Sequence, residues 1–129
     1  MTFEFPEDFL FADTHEYAFL EGNLIRIGIS SFAVDQLGDI VFVDLPEPGV
    51  TIQQASSFGS VESVKAVEDM NAPISGEVVE VNQAVLASPE ELQNDPHGKG
   101  WLLLIKPSDL KQLDQLMTST QYAEKVGSK

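Results

Sequence analysis

Cysteine is absent from the 129-residue chain, which removes disulfides, thiolate zinc sites, iron–sulfur clusters and thiol nucleophiles in one step. Histidine is almost as scarce: His15 and His97 are the only two, far apart in sequence, and give metal chemistry little to work with. Positive charge is short as well. Seven Lys+Arg face 21 Asp+Glu for a net charge of −14, so a nucleic acid bound through its phosphates is not expected as a partner. No apolar run reaches the roughly 20 residues that span a bilayer, and Met1 to Asp13 carry acids where a targeting presequence carries bases. A soluble protein of the bacterial cytoplasm is expected, with no membrane partner. Missing too are a Ser/His/Asp set, a phosphate-binding glycine loop and a metal-ligand cluster, which argues against a stand-alone enzyme.

What the chain does have is core-forming material: 43% hydrophobic and 9% aromatic residues, enough for one domain over residues 1–129 and too little length for two. Phe11 to Leu20 and Leu24 to Ile29, joined by the turn chemistry of Glu21-Gly22-Asn23, read as a hairpin. Ser30-Ser31 then offers an N-cap and Leu37-Gly38 a stop, predicting a connector helix of about two turns. From Gly38 the pattern is β, punctuated by Pro46, Pro48-Gly49, Gly59, Pro73 and Gly76 at the spacing of short strands in a sandwich or barrel. Gly38-Asp39-Ile40-Val41-Phe42-Val43 returns as Gly76-Glu77-Val78-Val79-Glu80-Val81, a faint repeat that suggests two similar half-units. Ser88-Pro89-Glu90-Glu91 predicts a capping box opening a short helix, which Asn94-Asp95-Pro96 closes. Trp101 to Ile105 is an apolar run placed as a buried strand, with Trp101 in the core. The β core thus covers about 11–107 and a helical tail about 108–127. In that tail Leu110, Leu113, Leu116 and Met117 form one helical stripe, and Thr118-Ser119-Thr120-Gln121 caps a last helix ending near Gly127.

Between Arg26 and Lys99 the one base is Lys65, against twelve acids from Asp35 to Asp95. It falls near the tip of a candidate hairpin built from two β-rich runs. A lysine there is ordinarily a solvated charge, and at neutral pH its ammonium is a poor nucleophile. Presented on a rigid turn, however, it can be acylated by a modifying enzyme and become the root of a swinging arm.

Val61-Glu62-Ser63-Val64-Lys65-Ala66 between two β half-units resembles the lipoyl attachment hairpin, and the longer set of motifs is similar to the H-protein family of the glycine cleavage system. That set includes Thr14-His15-Glu16, Gln36-Leu37-Gly38-Asp39-Ile40-Val41-Phe42-Val43, Leu45-Pro46-Glu47-Pro48-Gly49, Ala72-Pro73-Ile74-Ser75-Gly76, Asn94-Asp95-Pro96 and Gly100-Trp101-Leu102. The resemblance implies a mainly β fold, a flattened barrel-sandwich hybrid of the lipoyl/biotinyl carrier type, with lipoate amide-linked to the side-chain nitrogen of Lys65. It implies a non-catalytic, monomeric carrier serving three enzymes after a lipoate-attaching enzyme has modified it. The pyridoxal-phosphate glycine decarboxylase (P protein) loads it with the methylamine group of glycine. The tetrahydrofolate-dependent aminomethyltransferase (T protein) unloads it, and dihydrolipoamide dehydrogenase (L protein) reoxidises it. In the family the loaded arm folds back into a cleft, away from water. Residues matching Thr14, Glu16 and Asp69 receive it there, the two carboxylates suited to a cationic amine and the hydroxyl to a further hydrogen bond.

Two positions depart from the family pattern. Tyr17 stands where tryptophan is common and is expected to keep an aromatic cleft wall, and Phe32 stands where a connector-helix histidine is often found. His15 matches the pattern and is assigned no chemistry. Two other readings stay open: an H-like lipoate donor to other apoproteins, and a lipoyl or biotinyl domain of a 2-oxo acid dehydrogenase or carboxylase. Against the latter, Val64 and Ala66 stand where a biotinyl lysine is flanked by methionines, and no flexible linker is present.

Overall fold

The computed structural model describes residues 4–127, so the outermost ends of the expected 1–129 domain lie outside the described residues. Two β-strands, β2 (Glu16–Glu21) and β3 (Leu24–Ile29), form the expected hairpin around a turn in which Gly22 takes a φ of +64°. That conformation is easy for glycine and strained for a side chain bearing Cβ, which is why the Gly-Asn pair turns the chain here. The first strand is shorter than the sequence pattern predicts. Residues 12–15 break it, and Leu10–Phe11 become a separate strand, β1, paired antiparallel with Ala18 and Tyr17.

The connector helix α1 (Ser31–Leu37) forms as expected: the Ser30 side chain accepts the Ala33 N–H, and Gly38 ends the helix at φ +80°. Beyond it, β4 (Ile40–Asp44), β6 (Ser57–Ser63) and β7 (Val67–Asn71) make a three-stranded antiparallel sheet in the order β4-β6-β7. The remaining strands are β5 (Thr51–Ile52), β8 (Gly76–Val81), β9 (Leu103–Pro107) and β10 (Met117–Thr118). They join a seven-stranded sheet in the order β10-β1-β2-β3-β9-β8-β5. The two similar hexads fall on β4 and β8, one in each sheet.

Alternation along the strands supplies the core. Ile25 and Ile27 from β3, Val61 from β6, Met70 from β7 and Leu103 and Ile105 from β9 are all buried in one cluster. Each such side chain contributes roughly 1.5–3 kcal/mol relative to exposure. A second cluster gathers Phe9, Phe11, Tyr17 and Tyr122. Tyr17 lies opposite Gly28 in register, and a Cβ at Gly28 would stand 2.5 Å from the tyrosine ring, so the glycine is what lets the ring lie across β3.

The tail and the helices before it differ from expectation in four places. A helix α2 (Gln83–Ala87), unforeseen, is capped by the Asn82 side chain on the Ala84 N–H. Ser88 ends that helix, so it makes no capping box, and α3 (Glu90–Asn94) starts behind Pro89 without a side-chain cap. Trp101 is half-buried just before β9 rather than inside a strand. Leu110–Gln115 is a 3₁₀ helix with Leu110 exposed, and Met117 leaves the helical stripe to pair with Phe11 at the sheet edge. The final helix α4 (Ser119–Lys125) forms as predicted, with the reciprocal capping box of Thr118 and Gln121.

Candidate functional site

Lys65 occupies the turn between β6 and β7. That turn is closed by the Ser63 N–H on the Ala66 carbonyl at 2.8 Å and anchored by the Val64 N–H on the Asp39 carbonyl at 3.0 Å. The Ser63 side chain stiffens it further: its hydroxyl oxygen accepts the amides of Lys65 (3.3 Å) and Ala66 (3.2 Å) and donates to the Ala66 carbonyl. Serine suits this position because its short hydroxyl reaches backbone groups two and three residues ahead. The Lys65 side chain is exposed and makes no ion pair among the described residues.

Beside the turn a cleft of about 310 Å³ opens between the hairpin and α1. One wall is α1, presenting Phe32, Ala33, Gln36 and Leu37; the opposite wall comes from the hairpin with Val61, Lys65, Ala66, Glu68, Asp69 and Met70. Thr14, His15 and Glu16 complete it together with Ile29. The structure therefore brings Lys65, Thr14, Glu16 and Asp69 to one place, although they come from two segments about fifty positions apart. Tyr17 is not a cleft wall. Strand alternation turns it to the other side from Glu16, where it is fully buried and donates its hydroxyl to the Pro96 carbonyl at 2.8 Å.

Glu16 is only 2% exposed. One carboxylate oxygen accepts the Thr14 hydroxyl, and the other accepts the Asn71 N–H at 2.8 Å. Burial holds its carboxyl above the ordinary carboxylate range, against the opposing pull of those two donors. An ionised Glu16 thus has a fixed orientation and little water, the setting in which a cation in the cleft is attracted most strongly. Asp69, by contrast, is exposed at the rim.

The family model described as Glycine cleavage H-protein matches residues 9–129. The chain belongs to the glycine cleavage H-protein family. It is 72% identical over 129 residues to the Glycine cleavage system H protein of Prochlorococcus marinus, covering 100% of both chains. It is 69% identical over 128 residues to that of a Synechococcus species, covering 99% of each. Among solved structures, the glycine cleavage system H protein from Mycobacterium marinum superposes with a TM-score of 0.89 at 40% identity, covering 95% of this chain and 99% of that one. The barrel-sandwich architecture expected from the H-protein resemblance is therefore the fold of this chain.

Several residues around this H-protein cleft escaped the sequence reading. Ser63 carried no mark beyond its place beside Lys65. The Asn71 amide meets Glu16 across 55 positions, a contact with no local signature. His15, set aside as structural, takes a left-handed φ of +84°, uncommon outside glycine, and its Nδ1 lies 2.6 Å from the Tyr122 hydroxyl. His97 accepts the Ser31 N–H at 3.1 Å and packs edge-on against Phe9, Phe11 and Tyr17. Among the described residues no group of acids and histidines is placed to hold a metal, and no helix is long and apolar enough to cross a membrane.

Proposed function

We propose that this chain is the lipoylated carrier of a glycine cleavage system, acting as one monomeric, non-catalytic domain in the cytoplasm, with lipoate amide-linked to Lys65 Nζ. The observation that carries the proposal is the juxtaposition of an exposed lysine on a rigid turn with an acid-containing cleft at its foot. The residues present fit the group. Ile29, Phe32, Leu37, Val61 and Met70 offer an apolar lining suited to a hydrocarbon arm, and the volume lies at the lower end of the ~300–1,000 Å³ typical of small-molecule sites. When attached, lipoate supplies the disulfide and dithiol chemistry for methylamine transfer between the P and T proteins and for reoxidation by the L protein.

The chain's own part is to present, shelter and orient. Ser63 and the Asp39 carbonyl fix the turn from which Lys65 projects. The α1 wall covers one side of the cleft with apolar side chains, and Glu16, held by Thr14 and Asn71, gives a cationic amine a fixed carboxylate. Asp69 adds a second carboxylate at the rim, and the exposed turn presents Lys65 to a lipoate-attaching enzyme.

The test is glycine–bicarbonate carbon exchange by a glycine decarboxylase supplied with protein shown by intact mass to be lipoylated, beside Lys65→Arg. Exchange with the first and none with the second supports the carrier reading. A lipoylated but inert protein, with a decarboxylase that another H protein activates, overturns it in favour of a lipoate donor.

A further inference from the structure

We infer that Tyr122 is a positioning residue for the cleft: its hydroxyl joins the Thr14–Glu16 segment to the N-terminus of α1, so that the last helix sets the spacing between that segment and the α1 wall. The inference rests on the carrier reading for its functional meaning and on geometry for its substance. Tyr122 is fully buried, stacked on Phe11 with ring centroids 4.4 Å apart and an interplanar angle of 8°. Its hydroxyl lies 2.6 Å from His15 Nδ1 and 2.7 Å from Ser30 Oγ.

Two proton arrangements fit this geometry: His15 Nδ1 donates to Tyr122 and Tyr122 to Ser30, or the run is reversed with Ser30 donating. In the reversed run Ser30 Oγ accepts the Ala33 N–H at the start of α1 and gives its own hydrogen to the Tyr122 oxygen. The Tyr122 hydrogen then goes to His15 Nδ1, and the ring proton of a neutral His15 sits on Nε2. Burial keeps both groups neutral in either run, holding the phenol at about 12 and the imidazole below its ordinary value.

One end of this chain of hydrogen bonds reaches the α1 wall and the other the Thr14–Glu16 segment that completes the cleft. His15 lies between Thr14 and Glu16 in sequence, and its carbonyl accepts the Ser30 N–H at 2.9 Å. Its ring stands 5.3 Å from that of Phe32 on the α1 wall. A histidine at φ +84° is strained and persists only where its surroundings over-determine it; here the Ser30 amide holds its backbone and Tyr122 its ring. Helix α4 grips the same segment a second time through Lys125, 3.0 Å from Asp13. That ion pair is exposed and contributes little. The buried hydroxyl is therefore the joint.

The experiment compares lipoylated wild-type protein with Tyr122→Phe, His15→Ala and His15→Asn. Phenylalanine keeps the ring stack and removes only the hydroxyl, whereas asparagine keeps an acceptor and tolerates a left-handed backbone. Nitrogen-15 spectra of His15 should show one tautomer in wild type and a mixture in Tyr122→Phe, and Phe32 and Gln36 signals on α1 should shift. The half-life of the methylamine-loaded arm should shorten about fivefold in Tyr122→Phe and His15→Ala, and stay within about twofold of wild type in His15→Asn. Lipoylation of Lys65, whose turn is held by Ser63 and Asp39 and not by Tyr122 or His15, should be unchanged in all three. An unaltered His15 tautomer with unmoved α1 signals in Tyr122→Phe overturns the inference, as does a lowered melting temperature with an unchanged loaded half-life. If wild-type protein accepts no methylamine at all, the carrier reading fails, and the His15 spectra still decide the role of Tyr122.

Discussion

Replacing Ser63 with alanine isolates the rigidity of the Lys65 turn from every other property of the site. Ser63 is 5% exposed, and its hydroxyl serves the amides of Lys65 and Ala66 and the Ala66 carbonyl at 3.2–3.3 Å. Three hydrogen bonds at about 1 kcal/mol each would suggest a loss near 3 kcal/mol. Two features reduce that figure. The contacts are long, and the turn is exposed enough for water to replace the hydroxyl at the freed amides, while the Ser63 N–H to Ala66 carbonyl bond remains. The expected loss is therefore about 1 kcal/mol, or about fivefold in local opening. For a chain of this length it corresponds to a melting temperature lowered by about 3–5 °C. Amide hydrogen exchange should accelerate about fivefold at Ala66 while Met70 in the core of β7 keeps its protection. The initial rate of lipoylation by a lipoate ligase should fall several-fold, because the enzyme must then order the turn itself. Unchanged exchange at Ala66 would refute the reasoning, and so would a loss above about 3 kcal/mol, which would make Ser63 a core residue rather than a local brace.

Glu16→Gln should shorten the half-life of the methylamine-loaded arm; an equal half-life removes Glu16 from that role. Because burial raises the Glu16 carboxyl above its unfolded value, its contribution to stability is complete below about pH 4.5 and is lost as pH rises through the folded value. Melting curves should thus move in favour of the glutamine variant as pH rises above about 4.5, and parallel curves would count against this. His97 shows the opposite sense: burial lowers it to about 4, so its contribution is present above about pH 6.5 and lost as pH falls toward 4. His97→Gln, which keeps an acceptor for the Ser31 N–H, should flatten acid denaturation across that window by on the order of 2 kcal/mol. Acylating Lys65 takes the formal charge from −14 to −15, so affinity for the decarboxylase should fall as ionic strength rises. A flat salt dependence, measured by titration calorimetry, would show that apolar contacts dominate docking.

Where a feature is local, the sequence pattern was enough to find it. The Lys65 hairpin shows as alternating strands around a short turn, and α1 and α4 show through caps that act within three residues. The cleft has no such signature, because Glu16 meets Asn71 and His15 meets Tyr122 only after the sheets have formed. Tyr17 was misplaced for a reason the strand period itself contains: neighbours along β2 point to opposite faces, so a cleft-facing Glu16 sends Tyr17 away. Met117 looked helical beside Leu113 and Leu116, yet the unpaired edge of β1 offered backbone hydrogen bonds that outweigh a weak stripe. Helix α2, with Val85 alone buried, has almost no apolar period, and Asn82 was its one readable signal.

The partnership of Leu10 and Phe11 with Thr118 and Met117 joins segments more than a hundred positions apart. The entropy lost in closing a loop rises with its length, so β1–β10 closure is costly beside the three-residue turn that joins β6 to β7. Refolding from denaturant should accordingly build the hairpin that bears Lys65 ahead of the sheet edge against which α4 packs. The attachment point belongs to the part of the molecule that needs least from distant segments, and its shelter to the part that needs most. A chain arrested between those two events would display the lysine and lack the cleft.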